Sequence, residues 1–140
     1  MRVTIASIIS VVVVDTNVIS YIFKRDTRGT LYKPHIEGRL AIIAAQTLAE
    51  LEAMPLTNGW GQRRHAELRA RIKEFTFAEA DENVCLRWAE VQANAKRIGR
   101  PISVADAWIA ATALNYDAPL VTHNPSDFYN VPGLTVITEH

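Results

Sequence analysis

The sequence is short of several things, and each shortage excludes a class of protein. A single cysteine, Cys85, stands among 140 residues. That rules out an internal disulfide framework and a multi-cysteine zinc site, and a reducing, cytoplasmic setting is expected. No apolar run reaches the ~20 residues needed to span a bilayer. The run at residues 3–14 has only twelve positions, three of them Ser or Thr. It resembles a secretory h-region behind Arg2, but no small-residue cleavage site follows before Asp15-Thr16-Asn17. Internal repeats and low-complexity segments are also missing.

Lys and Arg are absent from residues 101–140, which hold the acids Asp106, Asp117, Asp127 and Glu139. The chain total of 15 basic and 15 acidic residues is therefore an uneven sum. All the basic residues lie before position 101, against eleven acids, so zero net charge does not argue against a nucleic-acid partner. Apolar residues make up 49% and charged residues 21%, the balance of an ordinary globular chain, and the length suits one domain over 1–140.

Four β-branched residues, Val11–Val14, suit a strand buried on both faces. Residues 1–10 read as its extension or as a dispensable tail. Val18, Ile19, Ile22 and Phe23 have helical spacing, and a charged loop is expected from Lys24 to Gly29. Leu40–Ala44 reads as a second buried strand, followed by a helix over Thr47–Met54 and a loop over Pro55–Gly61. A basic helix over 62–74 and a short strand at Phe75–Phe77 come next. Asp81 opens a helix with a buried face of Val84, Trp88, Val91, Ala95 and Ile98, closed by Gly99 and Pro101. Ser103 opens an alanine-rich helix to about Tyr116, and Leu120–Thr122 and Leu134–Thr138 are further strands. This alternation predicts an α/β domain with a mostly parallel sheet, in which ligands bind at the strands' carboxyl ends.

Four acids fall near that edge, and each has a local structural explanation. Asp15 reads as an N-cap, Glu50 and Asp106 as the far ends of capping boxes begun by Thr47 and Ser103, and Asp127 as an Asx-turn. Converging from separate segments, however, such carboxylates repel one another and lose solvent. A cation would relieve both costs. Oxygen ligands without convergent His or Cys point to magnesium or manganese, and the matching chemistry is metal-assisted hydrolysis of a phosphodiester.

The segments VVVVDTNVIS (11–20), TLAEL (47–51), ISVADAWIAATAL (102–114) and LVTHNPSDF (120–128) together resemble the PIN-domain ribonucleases, in particular the VapC-type toxins of toxin–antitoxin pairs. The resemblance implies an α/β/α sandwich. It also implies that Asp15, Glu50 and Asp106 bind one or two Mg2+ or Mn2+ ions for RNA hydrolysis, with either Glu50 or Asp106 taking the proton. Asn124 stands where many relatives carry a fourth acid, and Asp127 lies three residues further on, so either is a candidate fourth ligand. Thr16, Asn17, Thr122 and Ser103 are candidates for orienting the carboxylates. The implied partners are RNA, a VapB-like antitoxin and a second copy in a homodimer, with no membrane.

Outside these motifs, Arg63, Arg64, Arg69, Arg71 and Lys73 mark the basic helix, and Lys24, Arg25 and Arg28 a basic loop. Both are candidate RNA or antitoxin contacts. Tyr21, Ile22 and Phe23 include apolar surface for a partner. Trp60 reads as an edge of the core in preference to a base-stacking platform, Trp88 and Trp108 as packing, Cys85 as buried and inert, and His123 as a bystander. His35, His65 and His140 have no partner legible in the sequence. Two rival functions remain. An aspartyl-nucleophile phosphatase would want an Asp at position 17 and a supporting Lys near the fourth motif, and the chain has Asn17 and none. A PIN-like binding module without catalysis would fit Asn124 but leaves the three intact acids unexplained.

Overall fold

A computed structural model describes residues 10–140; the reading of residues 1–9 as strand extension or tail lies outside them. Five strands form one sheet in the order β3-β2-β1-β4-β5: β1 (Val11–Val14), β2 (Leu40–Ala44), β3 (Thr76–Ala78), β4 (Leu120–Val121) and β5 (Val136–Ile137). Every pairing is parallel. The Ser10 carbonyl already accepts from the Leu40 N–H at 2.9 Å.

Strand alternation divides the core in two. Val12, Val14, Ala41, Ile43 and Val121 face one layer with Val18, Leu51 and Leu68. Val13, Ile42, Ala44 and Leu120 face the other with Val91, Ala107 and Ala110. The first layer comprises α1 (Thr16–Phe23), α2 (Thr27–Ile36), α3 (Ala45–Thr57) and α4 (Gln62–Ile72); the second holds α5 (Glu82–Ile98) and α6 (Val104–Asn115). Helices on both faces explain why the strands are apolar at nearly every position.

Several local expectations are corrected. The loop drawn over Lys24–Gly29 is cut short by α2, whose N-cap Asp26 accepts from the Arg28 N–H at 2.9 Å. Gly29 is the reason α2 can lie against α1: a Cβ there would come within 2.7 Å of the Ile22 backbone nitrogen. The third helix starts at Ala45, ahead of Thr47, and continues through the buried Pro55, with its end tied by Asn58 N–H to the Met54 carbonyl. On α5, Val84, Val91 and Ala95 are buried, but Ile98 in the last turn is exposed. Cys85 is exposed too, because it lies one residue, about 100° of helix, off that buried stripe.

Candidate functional site

Asp15 ends β1 at the centre of the sheet, where the chain goes on to β2 on one side and β4 pairs on the other. Such a switch point opens a crevice at the strands' carboxyl ends. Asp15 is 6% exposed, and its N–H continues the ladder to the Val121 carbonyl at 2.9 Å. As N-cap of α1 its Oδ1 accepts from the Thr16 N–H at 2.8 Å. Its Oδ2 accepts from the Thr122 hydroxyl at 2.7 Å and from Asn17 Nδ2 at 3.5 Å.

Glu50 has no capping role. Because α3 begins at Ala45, Thr47 is buried inside the first turns and Glu50 projects as an ordinary helical side chain. The Thr16 hydroxyl donates to Glu50 Oε1 at 2.6 Å and lies 3.2 Å from the Thr47 hydroxyl. Thr47 thus joins the cleft's support, a part its sequence position hid behind the capping pattern. Asp106 is in the first turn of α6, and its N–H does donate to the N-cap Ser103 hydroxyl at 3.0 Å.

Asp15, Glu50, Asp106 and Asn124 line one open cleft of about 350 Å³, together with Thr16, Asn17, Ser20 and Lys24. Asp127 stands apart from that lining, in an adjoining hollow that also contains Asp106. The Asx-turn expected there is replaced by a 3-10 turn, in which the Asp127 N–H donates to the Asn124 carbonyl at 3.2 Å and Phe128 plugs the core.

Burial pushes the Asp15 carboxyl up to about 6; the hydrogen bonds from Thr122 and Thr16 pull against it, and the charges of Asp106 and Glu50 add to the rise. Asp106 is also raised, chiefly by burial; its contact with Ser103 opposes the rise, and Asp127 and Glu50 reinforce it. Among the described residues no Lys, Arg or His forms an ion pair with any of these four acids. Nor do three His, Cys, Asp or Glu side chains already close into a metal cage there. The donor chemistry still fits a hard divalent cation: oxygen ligands around an open cleft, with a buried carboxylate lacking a counter-charge, leave room for a magnesium ion that keeps several waters.

His123 takes a structural part. Its backbone N–H donates to Asn17 Oδ1 at 3.3 Å, and its Nδ1 meets the hydroxyl of the fully buried Tyr32. That hydroxyl also accepts from the Glu139 N–H at 3.1 Å. His35 pairs with Glu139 at 2.8 Å, whereas His65 Nε2 lies 3.6 Å from Glu52 and has no hydrogen-bond partner among the described residues. Trp88 and Trp108 stack on each other, 5.2 Å between ring centroids.

The two basic segments, separate in sequence, meet. Lys24, Arg25, Arg63, Arg64 and Arg71 line one hollow of about 760 Å³ with Phe23, where Glu67 pairs with Arg63 at 3.5 Å and Glu74 with Arg71 at 3.2 Å. Arg69 faces elsewhere, toward Glu52 at 3.3 Å. Trp60 is half-buried, stacked on Phe23 at 5.7 Å, with the Arg64 guanidinium 3.8 Å from its ring centre. Lys24 borders both this hollow and the acidic cleft.

Known proteins resemble the chain in sequence and in fold. Ribonuclease VapC1 from Haemophilus influenzae (strain R2866) is 28% identical over 128 residues, covering 86% of this chain and 91% of the relative. The structure of VapBC-1 from nontypeable Haemophilus influenzae superposes with a TM-score of 0.73 at 26% identity, over 91% of this chain and 97% of the other. VapBC2 from Rickettsia felis, bound to a DNA fragment from its promoter, shares the fold with a TM-score of 0.82 at 19% identity, over 93% and 99%. The family profile of the PIN domain matches residues 12–134, from β1 to the residues just before β5. With that match spanning all four acidic motifs, the chain belongs to the PIN-domain family.

Proposed function

We propose that the protein is a divalent-metal-dependent endoribonuclease and the toxin of a toxin–antitoxin pair. The observation that carries this reading is the shared cleft of Asp15, Glu50 and Asp106, three carboxylates from distant segments to which no cation among the described residues is paired. The names of the similar proteins, a ribonuclease and VapBC complexes, support it. Asp15, Glu50 and Asp106 would hold Mg2+ or Mn2+, with Asn124 or Asp127 completing the set. When bound, the cation supplies Lewis-acid stabilisation of phosphate charge.

The chain's own residues do the rest. Thr122 and Thr16 fix both oxygens of Asp15, and Thr16 also fixes one oxygen of Glu50. Either Glu50 or Asp106 accepts the proton of the attacking water. Lys24 and the basic hollow draw the RNA backbone to the cleft. A VapB-like antitoxin blocks that approach, and the toxin acts in the cytoplasm as a homodimer.

The test is cleavage of mixed RNA with and without Mg2+ or Mn2+, beside Asp15→Ala and Asp106→Ala. Cleavage by the unaltered protein that stops in EDTA and in both variants is the expected result. Cleavage that survives either treatment overturns the reading.

A further inference from the structure

Next to the acidic cleft lies a second, smaller hollow of about 220 Å³, and Asp106 and Ser103 border it. Its floor is apolar: Val91 and Ala95 of α5 with Ile102 and Val131. Its rim is polar and exposed: Arg100, Ser126, Asp127 and Asn130. The rim is held by backbone turns and one side-chain tie. Gly99, at φ 68°, turns the chain out of α5, and the Arg100 N–H returns to the Ala95 carbonyl at 3.0 Å. Across the hollow, buried Phe128 pins the turn that presents Ser126. Asn94 ties the two sides together through Nδ2 to the Asn130 carbonyl at 3.4 Å.

A small apolar patch beneath a mostly polar rim suits the face of a small flat ligand whose edges form hydrogen bonds. Single-stranded RNA offers such a group in each unstacked base, which proteins hold by edge hydrogen bonds and by stacking on planes that include guanidinium. Arg100 forms no ion pair among the described residues, so its planar face and five donors are available. We propose that this hollow seats the nucleobase next to the scissile phosphate and sets the sequence preference of cleavage. The inference rests on the ribonuclease reading, because Asp106 is the wall shared by both hollows. Backbone attraction then comes from the basic hollow on the Lys24 side, and base reading from the Asp106 side.

The experiment is cleavage of an RNA library randomised around the cut, with Mg2+ or Mn2+, by the unaltered protein, Ser126→Trp, Arg100→Ala and Arg100→Lys. Ser126→Trp places bulk across the rim from an exposed position. The unaltered protein should show a preference at one nucleotide beside the cut. That preference should fall about tenfold in Ser126→Trp and Arg100→Ala, with the other positions as before. Arg100→Lys keeps the charge but loses the plane, so it should not restore the preference. Cleavage with an unchanged profile in both Ser126→Trp and Arg100→Ala overturns the base seat and leaves the ribonuclease reading standing. A library the unaltered protein does not cut overturns both.

Discussion

The Thr122 hydroxyl lies 2.7 Å from Asp15 Oδ2 although 107 residues separate the two in the chain. The same hydroxyl accepts from the Asn124 N–H at 3.1 Å, so its proton is directed at the carboxylate. Thr122→Val keeps the shape and removes the bond. Cleavage is expected to fall by about 10–100-fold, with Thr122→Ser recovering most of it. A Val variant as active as the parent would mean the bond does not orient Asp15 for the reaction.

The raised Asp15 carboxyl makes a signed prediction for stability. Its pKa moves from 3.8 to about 6 on folding, so between these values the folded state holds more protons than the unfolded one. The benefit is full below pH 3.8 and is lost as pH rises through about 6. The apo protein is therefore expected to lose stability over that window, by up to about 3 kcal/mol from this group. Asp15→Asn, scanned thermally in EDTA at pH 5 and pH 7, should show a flatter profile and a higher Tm at pH 7. A parallel profile in the two proteins would refute it.

A cation at the cleft should reverse that penalty. At neutral pH, Mg2+ or Mn2+ at a hundred times its Kd is expected to add about 2.7 kcal/mol to the stability of the unaltered protein. Asp15→Asn should gain far less. Equal gains would place the binding elsewhere.

Removing charge from the basic hollow should weaken RNA binding mainly at low salt. With Lys24→Ala and Arg25→Ala combined, the slope of log affinity against log salt should flatten by about 0.7 for each phosphate left without its cationic partner. Arg69→Ala, directed at Glu52, serves as the comparison and should leave the slope nearly as it was. Filter binding over a salt series decides between them.

Gly29→Ala tests the seam between α1 and α2. Its Cβ would meet backbone at 2.7–2.8 Å, which a side-chain rotation cannot relieve. A loss of about 1–3 kcal/mol is expected by urea unfolding, and an unchanged midpoint would show that α2 can move away.

Much of this was legible in the residues. Val11–Val14 announced a central strand because a parallel sheet covered on both faces needs apolar side chains in both directions. Asp81, Gly99 and Ser103 marked helix ends through chemistry confined to one turn. The failures have equally local causes. Asp26 reads as part of a solvated loop because Arg25 and Arg28 flank it, although it caps α2. Thr47 and Glu50 matched a capping box by spacing alone, while the actual start of α3 is set by the end of β2. The meeting of Lys24 with Arg63 and Arg64 left no trace in sequence order, since only the stacking of Trp60, just ahead of α4, on Phe23 at the end of α1 brings them together.

The strand order has a consequence for synthesis. β1 is made more than a hundred residues ahead of one of its two sheet neighbours, β4, which starts at Leu120. A chain still emerging from the ribosome carries Asp15 and Glu50 long before it carries the β4 edge and the hydroxyl that fix the first of them, whereas Asp106 precedes that hydroxyl by only sixteen residues. For most of this length the polypeptide therefore holds Asp15 without the cleft. A long-range pairing of this kind delays folding until both partners exist, so Asp15 gains its buried setting only once β4 has been made.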